Sequence, residues 1–121
     1  DEIHIAVGNN PKKERYFDVN TIVKKIKELY VNNENIKVLI YNKLTAEIAK
    51  DLNANYILRG LRNTTDFEFE NSISQINRDL NTDLETVFLI TSPDYAPISS
   101  TIIRDVIKYG GDINKYLPYN I

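Results

Sequence analysis

Along the chain the spacing of apolar residues changes repeatedly, and the changes divide it into alternating strands and helices. Ile3, Ile5 and Val7 alternate with His4 and Ala6 ahead of Gly8 Asn9 Asn10 Pro11, which predicts a short strand closing into a loop. Asp18 stands where a cap is needed for a helix whose apolar positions Val19, Ile22, Val23, Ile26, Leu29 and Tyr30 recur at three- and four-residue steps. Ile36 to Tyr41 is nearly continuously apolar, the pattern of a strand covered on both faces. A short helix is expected over 45–52 and a strand over 56–58. A longer helix over 66–80 carries Phe69, Ile73, Ile76 and Leu80 on one side, and a strand follows over 87–90. Beyond Pro93 and Pro97 the spacing of Ile103, Val106 and Ile107 predicts a helix over 100–108 that Gly110 Gly111 stops. A last helical turn is expected within 112–117. Strands alternating with helices imply a parallel sheet with right-handed crossovers.

Length and composition narrow the picture. A chain of 121 residues is expected to form a single domain over residues 1–121, burying roughly two-thirds of the surface its unfolded form exposes. No repeat, linker or low-complexity tract divides it. A net charge of −2 argues against a general nucleic-acid binder, so any anion site must be local. The absence of cysteine excludes disulfides, a thiolate nucleophile and cysteine metal sites, and is compatible with a reducing, cytoplasmic location. No apolar run approaches the ~18 residues of a membrane helix, so no membrane partner is expected.

The most informative segment is Tyr56 to Glu70. An apolar strand is expected to end at Arg59, Gly60 to let the backbone turn, and Arg62 to follow just ahead of an acidic helix start at Asp66. Arginine's planar fork suits phosphate oxygens, and ligands of open α/β sheets bind at the carboxyl ends of the strands. Asp66 and Glu70, four apart near a helix N-terminus, interact favourably with its dipole and can be purely structural. A second segment, Ile98 Ser99 Ser100 Thr101 Ile102 Ile103 Arg104, sets consecutive hydroxyls beside the unpaired N–H groups of a helix start, where a phosphate could dock. The plainer alternative is that Ser99 or Ser100 only caps the helix. His4, between alternating isoleucines and with no second histidine, reads as a partly buried structural residue.

Arg59 Gly60 Leu61 Arg62, then Asp66 Phe67 Glu68 Phe69 Glu70, Asn77 Arg78, and Ile98 Ser99 Ser100 Thr101 with Arg104, together resemble the bacterial phosphopantetheine adenylyltransferases. The resemblance runs almost without gaps from Asp1 to Pro118. It implies an α/β fold with a Rossmann-like, doubly wound parallel sheet, and transfer of the adenylyl group of ATP to 4′-phosphopantetheine with release of pyrophosphate. Carried over by match, Lys13 would hold the acceptor phosphate, bridge it to the α-phosphate of ATP and serve as the catalytic residue, while Arg59 and Thr45 would also bind the acceptor. Gly60, Leu61, Arg62 and Glu70 would line the ATP site together with Tyr95, Ala96, Pro97, Ile98, Ser99, Ser100 and Thr101. Tyr95 would sit by the adenine and the hydroxyl loop would hold the triphosphate. Mg²⁺ would be carried by ATP rather than by a protein cage, and a hexamer is implied. A sibling reading is a nucleotidyltransferase acting on another phosphorylated acceptor, and a reading of a different class is a non-catalytic nucleotide-binding or assembly module.

One motif of that family does not occur. Its members carry a T/HxGH signature whose histidine contacts the ATP phosphates, whereas no glycine here precedes a histidine and His4 lies on a predicted strand. The first strand and helix are therefore expected upstream of Asp1, and a closing helix beyond Pro118. Without them the sheet's central region is expected to be unfilled, and residues 1–121 alone to transfer little or no adenylyl group.

Overall fold

A computed structural model describes residues 1–12 and 15–121. Strands and helices alternate: β1 (Ile3–Gly8), α1 (Val19–Leu29), β2 (Ile36–Tyr41), α2 (Thr45–Asp51), β3 (Tyr56–Leu61), α3 (Thr64–Leu80), β4 (Glu85–Ile90) and α4 (Ser100–Lys108), followed by a short 3-10 turn at Asn114–Tyr116. The class is α/β with parallel strands, as the pattern implies. The strands form two separate parallel pairs, β1 with β2 and β3 with β4. The chain correspondingly divides into two compact units, one of Asp1–Asn42 with Ser99–Ile121, the other of Lys43–Ile98.

In the first unit β1 and β2 pair from Ile3 opposite Ile36 to Gly8 opposite Tyr41. Asp18 caps α1 as expected, its carboxylate accepting from the N–H groups of Asn20 at 2.9 Å and Thr21 at 3.2 Å. Val19 and Val23 of α1 are buried, as is Ile103 of α4. The expectation that β2 is covered on both faces fails, because Lys37 and Ile40 remain exposed. His4 is half-buried, with Nε2 2.6 Å from a Glu2 oxygen that also places its partner oxygen 2.7 Å from Lys37 Nζ. The Lys37 hydrogen bond, with a smaller contribution from His4, lowers the Glu2 carboxyl below its ordinary value. The C-terminus of α4 closes through paired glycines: Gly110, at φ +75°, donates to the Ile107 carbonyl at 3.0 Å and Gly111 to that of Val106 at 2.8 Å. This pair of bonds is the Schellman stop that Gly110 Gly111 predicts.

In the second unit the core is Ala46 and Ala49 of α2 and Leu84 before β4, with Ala54 and Ile57 packed against them. Leu44 has no side-chain acceptor, so the start of α2 is held by one half of a capping box, the Leu44 N–H donating to Glu47 at 3.2 Å. Asn53, at φ 52°, takes the left-handed position past its end, and Ala54 donates to the Ala49 carbonyl at 2.8 Å. Helix α3 packs on the β3–β4 pair, with Phe67 edge-on to Phe88 at 5.8 Å between ring centroids. Its expected apolar side is real but uncovered: Phe69, Ile73, Ile76 and Leu80 are exposed, while Asn77 is buried. On the other face of β3–β4, Tyr56, Leu58, Val87 and Leu89 are exposed too. Among the described residues, no helix is long and apolar enough to cross a membrane.

Candidate active site

The segment from Arg59 to Glu70 differs from its sequence reading in one respect that decides the geometry. Strand β3 does not end at Arg59. It continues through Leu61, with Arg59 opposite Phe88, Gly60 opposite Leu89 and Leu61 opposite Ile90. Gly60 is therefore extended strand rather than a turn, and a Cβ added there meets nothing within 4 Å. The ladder is prolonged by the Thr91 N–H donating to the Leu61 carbonyl at 2.9 Å, which holds the strand end against β4. The turn falls at Arg62 and Asn63 instead. Asn63 caps α3 by accepting from the Asp66 N–H at 2.9 Å, so the helix starts at Thr64, two residues earlier than its spacing suggests.

The continuation of the strand has a consequence for side chains. Alternation puts Ile57, Arg59 and Leu61 on one face, the face that α3 covers. Arg59 there meets Glu70 of α3 in a two-bond pair, Nε to Oε2 at 2.9 Å and Nη2 to Oε1 at 2.5 Å. The arginine remains half exposed while the carboxylate is largely covered, 51% against 14% of their side-chain surfaces. The sequence reading assigns Arg59 to the acceptor and Glu70 to ATP, and the structure brings these two residues into direct contact.

Arg62 is held in the same manner one step further along. Its Nε and Nη2 donate to Asp66 Oδ2 and Oδ1 at 2.9 and 3.0 Å, and its backbone N–H donates to Oδ2 at 3.0 Å. The remaining terminal nitrogen, Nη1, lies 3.4 Å from the Ile98 carbonyl, at the edge of hydrogen-bond reach. The Arg62 side chain, and then its backbone N–H, hold the Asp66 carboxyl below its ordinary value of 3.8, and the same contact raises Arg62 further. Both guanidiniums are thus fixed forks. An i,i+4 spacing from Arg62 to Asp66 is the sequence signal for this contact.

Of the other expected site residues in this unit, Thr45 opens α2, half-buried. Tyr95, Ala96, Pro97 and Ile98 follow β4 in a tight turn, where Tyr95 and Ala96 donate to the Ser92 carbonyl, each at 3.1 Å, and Ile98 to that of Tyr95 at 3.0 Å. Tyr95 is exposed, at 63% of its surface. In the other unit, Ser99 caps α4, its Oγ accepting from the Ile102 N–H at 3.2 Å. Ser99 thus has the capping role that its place before the helix predicts. The amides of Ser100 and Thr101, in the first turn, have no carbonyl partner within the helix. Thr101 Oγ1 accepts from Arg104 Nη2 at 3.3 Å. Lys13, the expected catalytic and acceptor-binding residue, lies outside the described residues.

Comparison with known proteins supplies the family. The profile of the cytidylyltransferase-like proteins matches residues 1–106. The phosphopantetheine adenylyltransferase of Cytophaga hutchinsonii is 54% identical over 121 residues, all of this chain and 81% of the relative. The chain belongs to the phosphopantetheine adenylyltransferases. Family members of the same name from Prochlorococcus marinus subsp. pastoris and Limosilactobacillus reuteri are 41% and 40% identical over 117 and 121 residues, covering 97% and 100% of this chain and 74% and 70% of theirs. Membership makes this a nucleotidyltransferase chain of coenzyme A biosynthesis, and the resemblance read from the arginine pair and the hydroxyl loop is that of its own family.

Proposed function

We propose that this protein transfers the adenylyl group of ATP to 4′-phosphopantetheine. An oxygen of the acceptor phosphate forms a bond to the α-phosphorus of ATP, the α–β phosphoanhydride bond breaks, and pyrophosphate leaves with dephospho-coenzyme A as the product. The observation that carries this reading is the pair of fixed guanidinium forks three residues apart, Arg59 within β3 and Arg62 in the turn after it. The reaction joins two polyanions and needs no covalent nucleophile, so positioning and positive charge can provide most of the catalysis. Arg59 binds the acceptor phosphate. Arg62, Glu70, the backbone of Gly60 and Leu61, and the segment from Tyr95 to Thr101 bind ATP, with Lys13 bridging the two phosphates.

Mg²⁺ arrives with ATP. Among the described residues no group of three His, Cys, Asp or Glu side chains could hold a metal ion, and Asp66 and Glu70 are each engaged by an arginine. These residues do not fit a protein-held Mg²⁺, and no step is assigned to one. The exposed stripe of Phe69, Ile73, Ile76 and Leu80 on α3 supports association of copies, the hexamer expected of the family, in a cytoplasmic enzyme. The test is pyrophosphate release by the complete protein supplied with ATP and 4′-phosphopantetheine. Release is expected only with both present. Equal or faster release with a different phosphorylated acceptor assigns the site to that acceptor, and binding of ATP without any transfer removes the catalytic reading.

A further inference from the structure

We propose that Asp66 is a positioning residue, fixing the guanidinium of Arg62 in the orientation in which it receives the ATP phosphates; this rests on the nucleotide reading above. Asp66 occupies the third position of α3, where an acidic residue ordinarily reaches back to the N–H of the capping residue. Here the cap, Asn63, takes the Asp66 N–H at 2.9 Å, but the carboxylate reaches one residue further back, to Arg62. It grips that one residue at both ends, with Oδ2 on the backbone N–H and Nε and Oδ1 on Nη2. Because main chain and side chain are tied to the same group, the torsions between them have little freedom. A fork restrained in this way binds an anion with less ordering cost than a free arginine.

Asp66 does not use every donor of the fork. Asp66 takes the side of the fork formed by Nε and Nη2, and the Ile98 carbonyl lies 3.4 Å from Nη1. Nη2 keeps a second hydrogen that Asp66 does not use, and the planar fork points it away from Asp66, where a phosphate oxygen can accept it. Since the cap of α3 comes from Asn63, the carboxylate of Asp66 is not needed to start the helix.

Two effects of opposite sign separate this role from simple charge neutralisation. If Asp66 only cancels the charge of Arg62, Asp66→Asn strengthens the attraction for ATP; if it orients the fork, the same change weakens ATP binding. In the complete protein, Asp66→Asn is expected to raise the KM for ATP about tenfold, the size of one charge-assisted hydrogen bond. The KM for the acceptor is expected to stay unchanged. In an Arg62→Ala background the same substitution is expected to add nothing, which a merely structural role at the helix start would not predict. Tighter or unchanged ATP binding in Asp66→Asn, or an equal loss in the Arg62→Ala background, overturns the inference. A wild-type protein that does not bind ATP at all overturns the nucleotide reading and the inference together, and is a separate outcome.

Discussion

The end of β3 and the start of α4 both follow a strand, both offer hydrogen-bond donors to anions, and they do so by different physical means. At β3 the donors are side chains, and each arginine is already held by a carboxylate on α3, Arg59 by Glu70 and Arg62 by Asp66. At α4 the donors are backbone amides at the positive end of a helix dipole, with Ser99 as the cap. A pre-paired fork has fixed direction and little net charge, so it discriminates by geometry more than it attracts. A helix start is less particular about the shape of the anion. Under the adenylyl transfer proposed above, a fork of the first kind orients a phosphate, and amides of the second kind hold a polyphosphate.

The comparison breaks most visibly at Arg59. Its replacement by alanine removes the fork and leaves Glu70 of α3, whose side chain is largely covered, without that partner. We expect the KM for the phosphorylated acceptor to rise about ten- to a hundredfold, as for loss of charged hydrogen bonds. Arg59→Lys should recover only part, because an ammonium cannot make the same parallel contacts. A change in Arg59→Ala confined to ATP, with the acceptor unaffected, would reverse the division of labour between the two arginines. Steady-state kinetics with each substrate varied in turn reads the difference.

At α4 the expected effect is smaller and of another kind. Ser99→Ala removes the side-chain acceptor for Ile102 N–H and should cost about 1 kcal/mol of stability, seen as a lower melting midpoint. ATP binding should weaken only a few-fold, since the backbone amides of Ser100 and Thr101 remain. A loss in ATP affinity as large as that of Arg59→Ala for the acceptor would mean that the hydroxyl itself binds phosphate.

Smaller again is the response to pH at the Arg62–Asp66 pair. Asp66 is lowered in the folded chain, so its contribution is fully present above the ordinary value of 3.8 and is lost as pH falls through the lower, folded value. The melting midpoints of the wild type and Asp66→Asn should therefore keep a constant separation from neutral pH down to the usual carboxylate range and converge below it. Convergence already near neutral pH would show that the pair is not what separates them.

The alternation of elements was legible from spacing alone, because periods of two and of three to four residues are local properties of strand and helix. So were the Asp18 cap and the glycine pair after α4, whose chemistry is carried by the residues themselves. What could not be read was what covers each apolar face. The stripe on α3 has the right period, yet it faces outward while Glu70 meets Arg59 of β3 and Asn77 is buried. The extent of β3 was misjudged for a related reason: Arg59 and Gly60 look like a strand end, but the ladder to Phe88 and Leu89 carries them on. The grip of Glu70 on Arg59 goes with that extension, since alternation along β3 puts Arg59 on the face that α3 covers, whereas the Asp66–Arg62 pair is a local i,i+4 contact.

Gly60 gives the finest test of this difference. If the glycine were needed for a turn, any side chain there would be destabilising. In the extended strand, with nothing within 4 Å of an added Cβ, Gly60→Ala should leave the melting midpoint unchanged or raise it slightly, by less than about 1 kcal/mol, because alanine narrows the unfolded ensemble. Glycine's remaining reason to be there is close approach of a ligand to the backbone on the open face of β3. The same variant should then raise the KM for ATP with its stability intact. A fall in stability would restore the turn, and an unchanged KM together with unchanged stability would remove the Gly60 backbone from the ATP site while leaving the two forks in place.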